Sequence, residues 1–82
     1  MPFNVDFKPR AIKDLSALSK DNARRILEKI TALQDDLQGD VKRLTEYRPE
    51  YRLRVGDYRV LFELEDKTIV IYRIIHRREA YR

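Results

Sequence analysis

Arg52, Arg54 and Arg59 are the residues of this chain best placed to do chemistry. They lie in Tyr51-Arg52-Leu53-Arg54-Val55-Gly56-Asp57-Tyr58-Arg59-Val60-Leu61-Phe62, where apolar and polar residues alternate on both sides of a Gly-Asp pair. That pattern predicts a β-hairpin with a two-residue turn. With Gly56 and Asp57 as the turn, Val55 faces Tyr58, Arg54 faces Arg59, Leu53 faces Val60 and Tyr51 faces Phe62. One side of the hairpin is then apolar. The other sets Arg54 directly across from Arg59, with Arg52 beside them. Like charges in opposed positions destabilise a sheet, so the arginines read as placed for an anion such as a phosphate backbone. The competing reading is a wet basic strand face paired with Glu63 or Asp57.

Further candidates gather toward the end of the sequence, in Arg73, His76, Arg77, Arg78 and Tyr81. His76 is the single histidine, so a site built on several histidines is excluded. Its ring suits acid–base work near neutral pH, although a lone histidine at a strand end serves packing as readily. Tyr81 is either a packing plug or a platform on which a nucleobase stacks. Tyr47, Tyr51, Tyr58 and Tyr72 read as core or groove lining. Arg24, Arg25 and Lys29, interleaved with Glu28, read as the solvated face of a helix.

The 82 residues predict one domain spanning 1–82, with a single core. The absence of cysteine excludes disulfides and thiolate sites and fits a reducing cytosol. No apolar run has the length of a membrane span, and the N-terminus lacks a signal-peptide pattern, so a cytoplasmic protein is expected. The net charge of +4 is unevenly spread. Residues 1–40 hold seven basic and seven acidic side chains, whereas residues 41–82 hold eleven and seven. Within that half, 51–62 and 72–82 carry +2 and +3, a localised excess that suits a polyanion such as nucleic acid.

The elements that must position these residues follow from periodicity. Phe3, Val5 and Phe7 alternate with polar residues and predict a short first strand. Pro9 suits the first turn of a helix whose stripe is Ala11, Ile12, Leu15 and Leu18. Ser19 caps a second helix, with Asp21 at the positive end of its dipole and Ala23, Ile26, Leu27, Ile30, Leu33 and Leu37 on one face. Gly39 marks its end. Residues 41–50 read as a connector, because Pro49 lacks the donor that a ladder needs. The arginine hairpin follows, and then a last strand over 68–75, apolar on both faces apart from Arg73. The expected fold is α+β: β-α-α-β-β-β, an antiparallel sheet with an αα-hairpin packed on one face and the arginines on the other.

The face of Arg73 depends on the second turn. A two- or four-residue loop pairs Phe62 with Ile71 and turns Arg73 toward the helices. A three-residue loop over 65–67 pairs Arg59 with Arg73 and brings Arg77 to the same face. An unpaired guanidinium buried under helices costs several kcal/mol, which favours the three-residue loop.

The order of elements, the string from Tyr51 to Arg59 and the ending His76-Arg-Arg-Glu-Ala-Tyr81-Arg resemble the RelE/ParE superfamily of toxins from type II toxin–antitoxin pairs, with the ending closer to the RelE branch. The resemblance implies a RelE-like microbial ribonuclease fold and a ribosome-dependent endoribonuclease that cuts mRNA in the ribosomal A site. It further implies metal-free attack of the ribose 2′-hydroxyl on the adjacent phosphate, with no cofactor. Arg52 and Arg54 match two basic positions that hold the RNA backbone, and Arg59 an arginine that binds the scissile phosphate. Arg77 matches an arginine assigned to phosphate stabilisation or leaving-group protonation, and Tyr81 a tyrosine that stacks on a base. Arg73, His76 and Arg78 fall among the implied RNA-binding residues. The implied partners are a cognate RelB-like antitoxin in a hetero-oligomer, small-subunit ribosomal RNA and mRNA, with no membrane.

One departure matters. The best-studied RelE enzymes have lysines where this chain has Arg52 and Arg54. A lysine can act as a general base when its pKa falls, whereas an arginine, with a pKa above ~12, hardly can. The alternatives are a ParE-like inhibitor of DNA gyrase, with no chemistry of its own, and a nucleic-acid-binding or antitoxin-docking module that has lost activity.

Overall fold

Alternation along the chain's last two-fifths builds the sheet on which everything else rests. The structure, a computed structural model, describes residues 2–44 and 48–79. In chain order the elements are β1 (Asn4–Phe7), α1 (Pro9–Ser16), α2 (Lys20–Leu33), β2 (Asp40–Arg43), β3 (Tyr51–Val55), β4 (Tyr58–Glu65), β5 (Thr68–His76) and a 3₁₀ turn (Arg77–Glu79). The strands form one five-stranded sheet in the order β1-β5-β4-β3-β2.

The β3–β4 hairpin has the register expected from its alternation, with Val55 opposite Tyr58, Arg54 opposite Arg59, Leu53 opposite Val60 and Tyr51 opposite Phe62. Gly56 takes the positive φ, 58°, that opens such a two-residue turn. Leu53, Val60, Phe62, Ile69 and Ile71 are fully buried together with Ile26 and Leu33 of α2. Each such side chain removed from water contributes roughly 1.5–3 kcal/mol. Ser19 caps α2 by accepting the Asn22 N–H at 3.2 Å, as its residue type predicts.

Helix α2 is shorter than its apolar stripe suggests. It ends at Leu33 because Asp36 and Leu37 adopt positive φ values of 59° and 56°. Leu27, expected on the buried face, is 40% exposed.

Three further expectations are corrected. The connector over 41–50 begins with a short edge strand, β2, whose Val41 lies opposite Leu53. Pro49 lies outside that strand, so its missing donor is no obstacle. The sheet is not wholly antiparallel, since β1 runs parallel to β5, from Asn4 opposite Thr68 to Phe7 opposite Ile71.

The second turn lacks the length and the Arg59–Arg73 pairing favoured for it, although Arg73 still reaches the arginine face. Glu65 lies opposite Thr68, so Asp66 and Lys67 form a two-residue turn, with Asp66 at a φ of 56° that aspartate tolerates. Phe62 therefore pairs with Ile71, but the register shifts between Leu61 and Phe62, and Arg73 lies opposite Leu61. Arg59 faces Ile75 and not Arg73. Tyr72 is the extra residue of this bulge, which changes the face of every later β5 residue.

The outer edge of β5 is covered by two different elements. β1 pairs with its first half, and α1 continues along its second. Lys8 N–H donates to the Ile71 carbonyl at 2.8 Å, and the Asp14 carboxylate accepts the Ile74 N–H at 3.0 Å.

Candidate functional site: a cationic sheet face and the tip of its hairpin

Strand alternation sends Arg52, Arg54 and Arg59 to the sheet face turned away from the buried Leu53 and Val60. Strand β2 adds Lys42 to the same face, directly opposite Arg52. Two like-charged pairs, Lys42–Arg52 and Arg54–Arg59, thus lie side by side across three strands. Their neutralisation is incomplete. Arg52 Nη1 donates to Asp40 Oδ1 at 3.3 Å and to the Asp40 carbonyl at 3.2 Å. Arg54 is exposed and has no hydrogen-bond or ion-pair partner among the described residues. Arg59 Nη1 donates only to main-chain carbonyls, those of Gly56 at 3.0 Å and Tyr58 at 2.9 Å.

The hairpin tip collects further cations. The Arg77 N–H donates to the Asp57 carbonyl at 2.7 Å, and Arg77 Nε lies 3.6 Å from Asp57 Oδ1. Arg25 approaches the same turn from α2, its Nη1 3.5 Å from where a Cβ on Gly56 would sit. Arg77 therefore lies beyond the end of β5, beside the turn that Arg59 also grips, and not on the strand face expected for it.

Arg73 is engaged elsewhere. Its Nε and Nη2 donate to the two Asp14 carboxylate oxygens at 2.7 and 3.3 Å. The register keeps Arg73 on the sheet face of Arg52, Arg54 and Arg59, and its guanidinium reaches over the β5 edge to the carboxylate that α1 supplies there. Burial alone would raise the Asp14 pKa, but the hydrogen bonds from Arg73 and Ile74 and the charges of Arg73 and Arg10 outweigh it. The carboxyl is held below its ordinary value of 3.8. The Arg73 guanidinium is in turn raised by its bond to Asp14.

His76 lies opposite Tyr58, on the helix side of the sheet and so on the other face from Arg54 and Arg59. The two rings meet edge to face, 5.5 Å between centroids. The Arg78 N–H donates to His76 Nδ1 at 3.3 Å. Tyr81 lies outside the described residues.

Sequence reasoning thus brought Arg52, Arg54 and Arg59 together, and missed Lys42 and Arg25. The signal for Lys42 was the short alternation Asp40-Val41-Lys42 directly after Gly39, overshadowed by Pro49. Nothing in the helical pattern distinguishes Arg25 from its solvated neighbours, since its position depends on how α2 lies over the hairpin.

Chemically, the open face can hold anionic oxygens in a fork of guanidinium groups and stabilise charge that develops on them. A guanidinium holds its proton too firmly to act as a base, so removing a proton from an attacking hydroxyl is not work for these arginines.

Comparison with known proteins gives a consistent picture. A family model described as the ParE toxin of type II toxin–antitoxin systems, parDE, matches residues 5–81. The Toxin RelE3 of Methanocaldococcus jannaschii is 34% identical over 82 aligned positions, covering 94% of this chain and 93% of that protein. Among solved structures, the RelBE2 toxin–antitoxin complex of Mycobacterium tuberculosis contains a chain that superposes with a TM-score of 0.80 at 28% identity, over 94% of this chain and 100% of that one. The archaeal RelE–RelB complex of Pyrococcus horikoshii gives 0.77 at 32% identity, over 98% and 100%.

Proposed function

This chain belongs to the RelE/ParE superfamily of type II toxins, as the toxin of a toxin–antitoxin pair, and we propose that it is a ribosome-dependent mRNA endoribonuclease. The observation that carries this reading is the opposed pair Arg54–Arg59 on an open sheet face, next to Lys42 and Arg52 and within reach of the turn held by Arg77. A sheet seldom accepts such a pair without an anion to bind.

In the proposed reaction the 2′-oxygen of a ribose loses its proton to a base and attacks the adjacent phosphorus, the P–O5′ bond breaks, and the leaving 5′-oxygen takes a proton from water. Arg54 and Arg59 bind the non-bridging oxygens and stabilise the charge they gain in the transition state. Arg52 and Lys42 hold the flanking backbone. Arg77 adds charge at the leaving oxygen, and Tyr81 stacks on a base. No cofactor is required. The base that accepts the 2′-hydroxyl proton is a group other than these arginines, and positioning with charge stabilisation carries much of the rate. A RelB-like antitoxin, the kind of partner named in the complexes of the relatives, would neutralise the toxin in a hetero-oligomer. Small-subunit ribosomal RNA and mRNA are the targets.

Incubating the purified protein with programmed ribosomes and mRNA, and mapping the cut ends, tests this. Codon-positioned cuts are expected, and Arg59→Ala should reduce their rate by about 10²–10³-fold, the scale for losing one donor to a developing oxyanion. Arg77→Ala and Tyr81→Ala should abolish them. The matching family model bears the ParE name, which favours a second reading, a ParE-like inhibitor of DNA gyrase with no chemistry of its own. Intact mRNA together with blocked supercoiling in a parallel gyrase assay would establish that reading and sink the first.

A further inference from the structure

The helix side of the hairpin tip contains a cavity of about 140 Å³, lined by Asn22, Arg25 and Ile26 of α2, Val55, Asp57 and Tyr58 of the hairpin, and His76 of β5. A closed apolar cavity of about 150 Å³ accepts a benzene molecule, so this one has the room for a single six-membered ring.

Three of its polar side chains are uncommitted. The Asn22 amide, the Arg25 guanidinium and the Tyr58 hydroxyl have no hydrogen-bond partner among the described residues. His76 Nδ1 accepts the Arg78 N–H, so the neutral ring carries its proton on Nε2 and can only donate there. Ile26 and Val55 supply an apolar floor, and both are buried. A small cavity with an apolar floor and several convergent polar groups is the usual form of a site for a flat polar ring. Most of these groups are donors, which match the carbonyl oxygen that cytosine and uracil share between their ring nitrogens.

The position of the cavity adds a phosphate. Asp57, on its wall, is the residue that Arg77 grips, and the neighbouring Gly56 carbonyl is gripped by Arg59. Only the two-residue turn separates the ring-sized cavity from those two arginines. A nucleotide whose phosphate is held at the tip can lay a neighbouring base over the turn.

We propose that this cavity is a pyrimidine-recognition pocket, filled by the base of a nucleotide next to the phosphate bound at the hairpin tip. The proposal rests on the RNA reading above and adds to it the class of base and the residues Asn22, Arg25, Tyr58 and His76. It places specificity on the face opposite the open arginine cluster.

The test is an NMR titration of the ¹⁵N-labelled protein with the 5′-monophosphates of cytidine, uridine, adenosine and guanosine, and with inorganic phosphate. The pyrimidine nucleotides should shift the amide signals of Asn22, Ile26, Tyr58 and His76, and the purine nucleotides should bind about fivefold more weakly. Inorganic phosphate should shift Arg54 and Arg59 but not the pocket. Asn22→Ala, at a half-buried position of α2, should weaken pyrimidine binding about fivefold and leave phosphate binding unchanged. Equal binding of purines, pocket shifts reproduced by phosphate alone, or wild-type affinity in Asn22→Ala would each overturn the proposal. So would pocket shifts seen with a RelB-like antitoxin peptide and never with a nucleotide. The titration needs no cleavage. A chain that binds pyrimidine nucleotides yet cuts no mRNA would defeat the nuclease reading alone, and one that cuts mRNA with an empty pocket would defeat only the pocket.

Discussion

Arg54 and Arg59 oppose each other across the β3–β4 ladder, and the carboxylate opposite Arg54 on the other side, that of Asp40, is bonded to Arg52. Function and stability should therefore separate at these positions. Replacing Arg54 by threonine removes a like-charged cross-strand contact and installs a β-branched residue, worth about 0.5 kcal/mol. The expected outcome is a thermal midpoint about 2–4 °C higher, read by circular dichroism. The same variant should cut ribosome-bound mRNA about 10²-fold more slowly. A lower midpoint would mean that Arg54 is structural and would remove the main reason for placing an anion there. These residues were legible in the sequence because two-residue periodicity and a Gly-Asp turn specify who faces whom within one hairpin. Arg73 was harder to read, since its partner Asp14 lies 59 positions away and no local rule connects them.

The Asp14–Arg73 pair shows what an element-scale contact does. One Asp14 oxygen takes the Arg73 Nε and the Ile74 N–H, so α1 seals the part of the β5 edge that β1 leaves open. Arg73 is about a third exposed, which screens the ion pair and leaves the main-chain bond as the larger stake. Asp14→Ala strands that N–H and should cost about 2 kcal/mol, lowering the thermal midpoint by roughly 8–16 °C. The pH dependence has a definite sign. The folded-state pKa of Asp14 is depressed, so its contribution is fully present above the ordinary value of 3.8 and fades as pH falls through the lower folded value. Urea titrations across acidic pH should therefore show the wild type losing its advantage over Asp14→Ala below about pH 4. A constant difference down to pH 2 would show that the carboxylate charge plays no part. The bulge at Tyr72 belongs to the same scale and was not legible. Turn length alone gave two registers, and neither included a residue that changes face mid-strand.

For the whole molecule, the excess positive charge of residues 41–82 is concentrated on one sheet face and one hairpin tip. Binding to single-stranded RNA should therefore weaken with salt, by about 0.7 in logarithmic slope for each phosphate neutralised. Replacing Arg52, Arg54 and Arg59 together by glutamine should flatten that slope by about 2, measured by fluorescence anisotropy of a labelled oligonucleotide. An unchanged slope would put the RNA on another surface. The same sheet has a consequence for the timing of synthesis. β5 lies between β1 and β4, although β1 is the first strand to leave the ribosome and β5 the last. Throughout translation β1 waits without its neighbour, and the tip lacks the Arg77 that follows β5. A toxin built this way stays unfinished while it is being made. Nascent chains stalled before residue 68 should remain protease-sensitive, and resistance should appear only after β5 has emerged.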